Sequence, residues 1–204
     1  MIKLLKELNV LAIQFGFETG DDKILKYAKN SKFISVEKNR LAATLCRKYG
    51  ILVQGYIMLG FPNEGHKEVM KSYNFFKKYS DSMDKPNIVM VFPGTALQEE
   101  LKNKTGKDYA KIHLDKMKLS FGGEMAVTNE TIISKKLSHK EIIDYREMFH
   151  KAGIIKNKKY YIRLFLKLLF SKGIFLNMYY LYNVFRSAKI NPKREFISKT
   201  ITIS

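Results

Sequence analysis

The stretch Val10-Leu-Ala-Ile-Gln-Phe-Gly-Phe-Glu-Thr-Gly-Asp-Asp22 decides the fold of this chain. Its first eight residues form a nearly continuous apolar run, which is typical of a β-strand buried on both faces. Asp21 and Asp22 then open a helical stretch in which Ile24 and Leu25 lie on one side. A buried strand that leads directly into a helix predicts the first unit of a parallel α/β sheet.

Two further strands are predicted at regular intervals along the chain. Residues 51–59 form a second apolar run that ends in Gly60-Phe-Pro62, and residues 87–92 form a third that ends in Pro93-Gly-Thr95. Glycine and proline at these positions do not continue a hydrogen-bonded ladder. Because helical segments separate the strands, we expect crossover connections and three parallel strands. Three such units predict an α/β fold that is part of a larger sheet or barrel.

The helix before the second strand contains the only cysteine of the chain. Leu41, Leu45 and Tyr49 recur every four residues, and Gly50 stops the helix. Cys46 lies on this helix and is interpreted as a small core residue. One cysteine excludes a disulfide framework and any metal site built from this chain's thiolates alone. The histidines have no metal-ligand spacing and are interpreted as surface or capping residues: His66, His113, His139 and His150.

The pattern changes after residue 110, where strands give way to helices. Ser138 and Glu141 have the spacing of a capping box, which predicts that a helix begins there. We expect this helix to run to about Ala152, with Gly153 as its stop. Two aromatic-rich helices are predicted beyond it, over residues 160–170 and 174–185, followed by a basic tail.

Positive charge is concentrated in this last part of the chain. The whole chain of 204 residues has a net charge of +18, and from Lys135 onward sixteen Lys and Arg face four Asp and Glu. Such asymmetry indicates an anionic partner, namely nucleic acid, a phospholipid surface or an acidic protein, and a solvated basic face stays open as the alternative. No nucleic-acid module is recognised, which makes nucleic acid the least favoured partner. Charged residues interrupt the apolar run after residue 160, so no transmembrane helix is expected.

The chemistry of a parallel α/β barrel is placed at the carboxyl ends of its strands. That rule selects residues 17–20, 59–62 and 92–95. Burying Glu18 at such a position without a partner would be expensive. A ligand ammonium or hydroxyl group is the natural partner that this reasoning suggests.

These three strand ends resemble those of radical S-adenosylmethionine (SAM) enzymes. Residues 13–25 resemble the fourth-strand segment of that family, residues 56–64 are similar to its fifth-strand GFPGE signature, and residues 92–97 to its sixth-strand PGT-x-L ending. The resemblance implies that residues 1–110 are the C-terminal half of a (β/α) barrel, with its last three strand–helix units. Residues 111–204 would then be a mostly helical, basic extension. This extension is more loosely similar to those of cobalamin-associated members.

The resemblance also implies a set of cofactor-binding residues: Glu18, Thr19, Gly20, Lys29, Tyr56, Gly60, Pro62, Phe92 and Pro93. Glu18 matches the position that contacts SAM, and Lys29 matches a basic residue that faces the SAM carboxylate. Tyr56 matches a polar position near the ribose, and residues 60–62 and 92–93 match surfaces around the adenine. The alternatives are that Lys29 is an exposed helix lysine and Tyr56 a core aromatic residue.

The family's Cys-x3-Cys-x2-Cys motif has no counterpart in this chain, and Cys46 alone cannot hold a [4Fe–4S] cluster. The resemblance therefore implies a C-terminal fragment that is not catalytic alone, with no catalytic or metal-ligating residue of its own. A missing N-terminal half or cognate subunit would supply the cluster, and the parent protein could also use cobalamin. The alternative is a non-catalytic protein that attaches to a partner or an anionic membrane surface through its C-terminal helices. A cytoplasmic location, with or without peripheral membrane contact, is expected.

Overall fold

The computed structural model describes residues 1–119 and 127–170 of the chain. In these residues it contains three strands, seven α-helices and a short 3₁₀-helix at Asn129–Thr131. The strands are β1 (Ala12–Glu18), β2 (Leu52–Leu59) and β3 (Asn87–Ile88). The helices are α1 (Ile2–Glu7), α2 (Asp22–Ala28), α3 (Val36–Lys48), α4 (His66–Tyr79), α5 (Ala96–Thr105), α6 (Tyr109–Leu119) and α7 (His139–Leu169). The predicted α/β class with alternating strands and helices is confirmed.

The three strands form one parallel sheet in the order β1-β2-β3. β3 is shorter than the predicted strand over residues 87–92. The Val89 N–H still donates to the carbonyl of Leu59, the last residue of β2, at 2.9 Å, and beyond it the backbone N–H of Val91 donates a hydrogen bond of 2.7 Å to Nδ1 of His113 on α6. His113 is buried, so its interpretation as a surface or capping residue is wrong. The described residues form an open sheet and not a closed barrel.

One face of the sheet is covered by a layer of helices α3, α4 and α7. Phe17 and Ile57 from the strands pack there with Phe76 of α4 and Phe149 of α7, all of them fully or almost fully buried. Burial of such side chains contributes about 1.5–3 kcal/mol each. The core therefore includes residues on both sides of position 110, and the domain boundary predicted there stays a prediction.

Helix α3 confirms Cys46 as a core residue. Cys46 and Ala43 are fully buried, and burial raises the pKa of the Cys46 thiol. Leu41 and Leu45, on the same helix, are exposed. Arg47 donates a hydrogen bond to the carbonyl of Lys78 at the end of α4, so the two leucines, on the other side of α3, face away from α4.

Helix α7 begins at the predicted capping box and is much longer than predicted. The Ser138 hydroxyl accepts a hydrogen bond from the Glu141 N–H, and the Glu141 carboxylate accepts one from the Ser138 N–H. The helix continues through Gly153 to Leu169, so the predicted stop is wrong. A Cβ atom at Gly153 would lie 1.9 Å from the Met83 carbonyl oxygen, so this glycine allows the helix to approach the chain before β3.

The predicted helix over residues 160–170 is the continuation of α7. The predicted helix over residues 174–185 and the basic tail lie outside the described residues. Within the described part of the chain, no helix combines the length and the apolar character that crossing a membrane requires.

Candidate functional site

A cavity of about 560 Å³ lies at the carboxyl ends of β1 and β2. Its polar wall contains Glu18, Tyr27, Lys29, Thr95 and Glu100. Its apolar wall contains Met58, Phe61, Val89, Met90 and Leu97. This is the edge of the sheet that the strand-end rule selects for chemistry.

An ion pair between Glu18 and Lys29 forms part of the polar wall. Nζ of Lys29 lies 2.5 Å from Oε1 of Glu18, and the two side chains are 39% and 15% exposed, respectively. The ladder is irregular between Gly16 and Glu18, where β1 ends. Glu18 has a φ of 62°, a left-handed conformation that is uncommon for residues other than glycine. This turn brings the carboxylate to the cavity.

Gly16 leaves the space that this ion pair occupies. A Cβ atom at Gly16 would lie 2.6 Å from Oε1 of Glu18 and 3.6 Å from Nζ of Lys29. Sequence reasoning did not select Gly16 for the site. The signal was present, because a glycine inside a strand often marks a place where another group approaches closely.

Thr19 and Gly20 fix the start of α2 and do not line the cavity. The hydroxyl groups of Thr19 and Ser72 share a hydrogen bond of 2.9 Å, and the N–H of Gly20 donates to the Ser72 hydroxyl at 2.9 Å. A Cβ atom at Gly20 would lie 2.5 Å from the carbonyl oxygen of Lys71. Both residues therefore hold the β1–α2 turn against α4.

Asp21 caps α2 and so positions Lys29 at the other end of that helix. Its Oδ1 accepts hydrogen bonds from the N–H groups of Lys23 and Ile24, and its Oδ2 contacts the Lys71 ammonium at 2.6 Å. Burial raises the pKa of the Asp21 carboxyl, but the hydrogen bonds from Lys71 and the backbone outweigh it, and the net pKa is lowered. The cap is therefore a stable anion.

The turn after β2 brings Phe61 to the apolar wall. Gly60 has a φ of 93°, which favours glycine, and the buried Glu64 accepts hydrogen bonds from the N–H groups of Gly60 at 2.6 Å and Phe61 at 3.3 Å. Burial raises the pKa of Glu64 to about 7 despite these two bonds. Pro62 is buried beside the cavity, and its carbonyl accepts a hydrogen bond from the Lys135 N–H.

A second acidic group was not found from the sequence. The Tyr27 hydroxyl donates a hydrogen bond of 2.9 Å to Glu100, which also pairs with Lys104 at 2.6 Å. Burial and then the Glu100 carboxylate raise the pKa of Tyr27 above its usual range. Tyr27 and Glu100 are far apart in the sequence, and no local pattern indicates their contact.

Three more of the predicted binding residues, Tyr56, Phe92 and Pro93, lie outside the cavity wall. Phe92 is 54% exposed and Pro93 is exposed, because the chain turns outward before α5. Tyr56 lies on β2 two residues before Met58, on the same face but further from the strand end. Burial, and then the charge of Asp84, raise the pKa of Tyr56. Of the predicted set, the structure places Glu18 and Lys29 in the cavity, and the binding role of every member stays a prediction.

The cavity combines the ammonium of Lys29 and the carboxylates of Glu18 and Glu100 on one wall with apolar side chains on the other. Such a site suits a ligand that carries an ammonium and a carboxylate beside an apolar ring. The described residues contain no group of three or more His, Cys, Asp and Glu side chains placed to hold a metal ion. With Cys46 buried in α3 as its only thiol, the chain does not fit a [4Fe–4S] cluster.

Comparison with known proteins gives two partial similarities, and no family model matches the chain. An uncharacterized methyltransferase of Pyrococcus horikoshii is 30% identical over 97 residues, which are 48% of this chain and 21% of that protein. The tRNA-2-methylthio-N(6)-dimethylallyladenosine synthase of Buchnera aphidicola subsp. Schizaphis graminum is 23% identical over 133 residues, 62% of this chain and 30% of that protein. The chain thus spans less than a third of the length of either relative.

Proposed function

We propose that the chain forms one side of a SAM-binding site and is the C-terminal part of a radical SAM enzyme that is not catalytic alone. The observation that carries this proposal is the cavity, with the Glu18–Lys29 pair on one wall. The similarity to an uncharacterized methyltransferase and to a tRNA-2-methylthio-N(6)-dimethylallyladenosine synthase supports it, since SAM is the usual methyl donor in such reactions.

The charges of the cavity fit the amino-acid part of SAM. Glu18 would accept hydrogen bonds from its ammonium, and Lys29 would pair with its carboxylate. The ion pair that the two residues now make with each other would open in favour of these contacts. Met58, Phe61 and Leu97 would pack against the adenine, and the apolar wall would exclude water from that side.

The open edge of β1 supports completion of the site by another polypeptide segment. Among the described residues β1 pairs with β2 alone, so no neighbouring strand covers its other edge. The exposed Leu41 and Leu45 face away from α4, where a further helix would bury them. A missing N-terminal half or a cognate subunit would cover both features. It would also supply the [4Fe–4S] ligands, and cobalamin, if used, would belong to the parent protein.

The proposal is tested by ligand binding to the purified chain. SAM titrated into the protein should shift the amide NMR signals of residues around Glu18, Phe61 and Leu97. The Glu18→Gln variant should bind about tenfold more weakly, because a charged hydrogen bond is lost. Glu147→Gln is the matched control, since Glu147 pairs with Lys85 at 2.6 Å outside the cavity. Unchanged spectra at millimolar SAM would contradict the proposal.

The fragment interpretation has its own test in the DNA upstream of the Met1 codon. Translation of that region, or of a neighbouring gene, should reveal strand–helix units with Cys-x3-Cys-x2-Cys. Iron and sulfide analysis of the purified chain should find no cluster. A [4Fe–4S] cluster bound to this chain alone, or a genome without any such segment, would count against the proposal.

A second candidate function is attachment to an anionic membrane through α7. Ile155 and Ile162 on the second half of this helix are 68% and 60% exposed, Phe170 directly after it is 85% exposed, and exposed lysines flank the two isoleucines. Apolar side chains beside basic ones are typical of helices that lie in a lipid interface. Vesicles with anionic lipid should therefore bind the chain, and an Ile162→Ser and Phe165→Ser variant should bind them more weakly. Equal binding by the variant would remove this candidate.

A further inference from the structure

A second cleft lies at the opposite end of the sheet from the cavity, where β2 begins. It has a volume of about 310 Å³. Arg47 of α3 and Arg163 and Lys167 of α7 supply its positive charges, and Asp81, after α4, is the acidic residue that lines it. Helices α3 and α7 therefore bring three cations together around one carboxylate.

Asp81 accepts a hydrogen bond from the backbone of β2 and forms only long ion pairs with two of these cations. Its Oδ2 accepts a hydrogen bond of 2.8 Å from the backbone N–H of Val53 in β2. Its Oδ1 lies 3.3 Å from Nη2 of Arg47 and 3.5 Å from Nη1 of Arg163. Both contacts are single and long, whereas a strong Arg–carboxylate pair is bidentate and shorter. Arg47 also donates from Nη1 to the Lys78 carbonyl at 2.7 Å, and the remaining donors of the two guanidinium groups have no hydrogen-bond partner among the described residues.

Further positive charges surround the cleft. Lys156 of α7 donates hydrogen bonds to the carbonyl groups of Phe76 and Lys77 at the end of α4. Burial and then the nearby Arg47 lower the pKa of Lys156 to about 8. Burial, and then Lys6 and Arg163, lower the pKa of Lys167. An anion that enters the cleft would relieve this repulsion.

We propose that the cleft binds the phosphate group of an anionic ligand through Arg47, Arg163 and Lys167. Two guanidinium groups and an ammonium present many donors, which suits a tetrahedral oxyanion with several acceptor oxygens. The volume exceeds that of a phosphate group, so the group that bears it also has room. The exposed Leu166 and Phe170 lie beside Arg163 and Lys167 on α7, which favours a phospholipid as the source of the phosphate. This site is separate from the cavity and does not depend on the proposed SAM site.

The test uses the full chain and two phosphate-bearing probes. Inorganic phosphate is titrated by NMR, with the amide signals of residues 50–52 as the readout. Vesicles of phosphatidylglycerol in phosphatidylcholine are compared with phosphatidylcholine alone by co-sedimentation. The cleft variant is Arg163→Gln with Lys167→Gln. The matched control is Lys23→Gln with Lys26→Gln, which removes the same charge from exposed positions on α2 outside the cleft.

The cleft variant should lose about tenfold or more in affinity, while the control changes less than about twofold, because charged hydrogen bonds are lost in the first case only. A loss seen with vesicles alone identifies a lipid headgroup as the source, and a loss seen with inorganic phosphate identifies a soluble phosphate. Equal losses in both variants, or no binding of either probe by the wild type, overturn the proposal. If the double variant unfolds, Arg163→Gln alone serves, since that side chain is 61% exposed.

Discussion

Replacing Gly153 by alanine tests how α7 docks on the rest of the fold. In a free helix this substitution would stabilise the protein by about 1 kcal/mol, because glycine is a poor helix former. In the structure, however, the new Cβ would lie 1.9 Å from the carbonyl oxygen of Met83 and 3.0 Å from its carbonyl carbon. Backbone atoms cannot rotate away as the end of a side chain can, so α7 must move outward by more than an ångström.

The cost of that movement follows from what α7 contacts beside Gly153. Overpacking of this kind costs about 1–3 kcal/mol. Asn157, one turn further on, accepts a hydrogen bond of 2.6 Å from the Met83 N–H and donates to the Met83 carbonyl at 3.2 Å. Each bond contributes about 1 kcal/mol, and both would weaken. After the helix-propensity gain is subtracted, we expect Gly153→Ala to destabilise the chain by about 2–4 kcal/mol.

The measurement is urea unfolding followed by circular dichroism, with the full chain. Lys151→Ala, at an exposed position on the same helix, is the control and should change the free energy of unfolding by less than about 0.5 kcal/mol. An unchanged or increased stability of Gly153→Ala would refute the docking of α7 at Met83, and would favour a helix that ends near residue 152.

Three further predictions concern the buried groups around the site. In urea unfolding, Gly55→Ala should destabilise the chain by about 1–3 kcal/mol, since its Cβ would lie 2.5 Å from the Phe17 ring. Gly16→Ala should destabilise it by less than about 1 kcal/mol, because its Cβ meets only the flexible end of the Glu18 side chain. The pKa of Glu64 is about 7 in the folded chain against 4.5 ordinarily, so its contribution to stability is present below pH 4.5 and is lost as the pH rises through 7. From pH 4.5 to 8, the free energy of unfolding of Glu64→Gln should therefore rise by on the order of 3 kcal/mol relative to that of the wild type. A difference that stays constant over this range would contradict the burial argument. His113→Ala should lower the free energy of unfolding by at least about 2 kcal/mol, because the Val91 N–H and the Thr131 carbonyl both lose their hydrogen-bond partner. A drop in melting temperature no larger than that of the control His150→Ala would contradict this prediction.

Strands β1 and β2 and the starts of helices α2 and α7 could be predicted from the sequence because their signals are local. The apolar runs located β1 and β2 to within two residues, and the Ser138–Glu141 spacing located the start of α7. Gly153 misled the prediction because a glycine near a helix end and a glycine at a close contact look alike in sequence. The contact with Met83 that decides between them is formed only in the tertiary structure.

The candidate site was predicted in part for the same reason. Glu18 and Lys29 reach the cavity because β1 and α2, which carry them, are adjacent in the chain. Phe92 was expected in the site, but β3 is shorter than the predicted strand and Phe92, beyond its end, is exposed. The Tyr27–Glu100 contact joins α2 and α5, and no local pattern reports which helices become neighbours.

The most direct test of the SAM-binding cavity compares two ligands in two proteins. SAM and 5′-methylthioadenosine share the adenosine part, but only SAM carries the ammonium and the carboxylate that would meet Glu18 and Lys29. The wild type should therefore bind SAM more tightly than 5′-methylthioadenosine, and in Glu18→Gln that ratio of affinities should fall by about tenfold while Glu147→Gln retains it. The same ratio in all three proteins would contradict the account, because the ion pair at the end of β1 would then have no part in recognition.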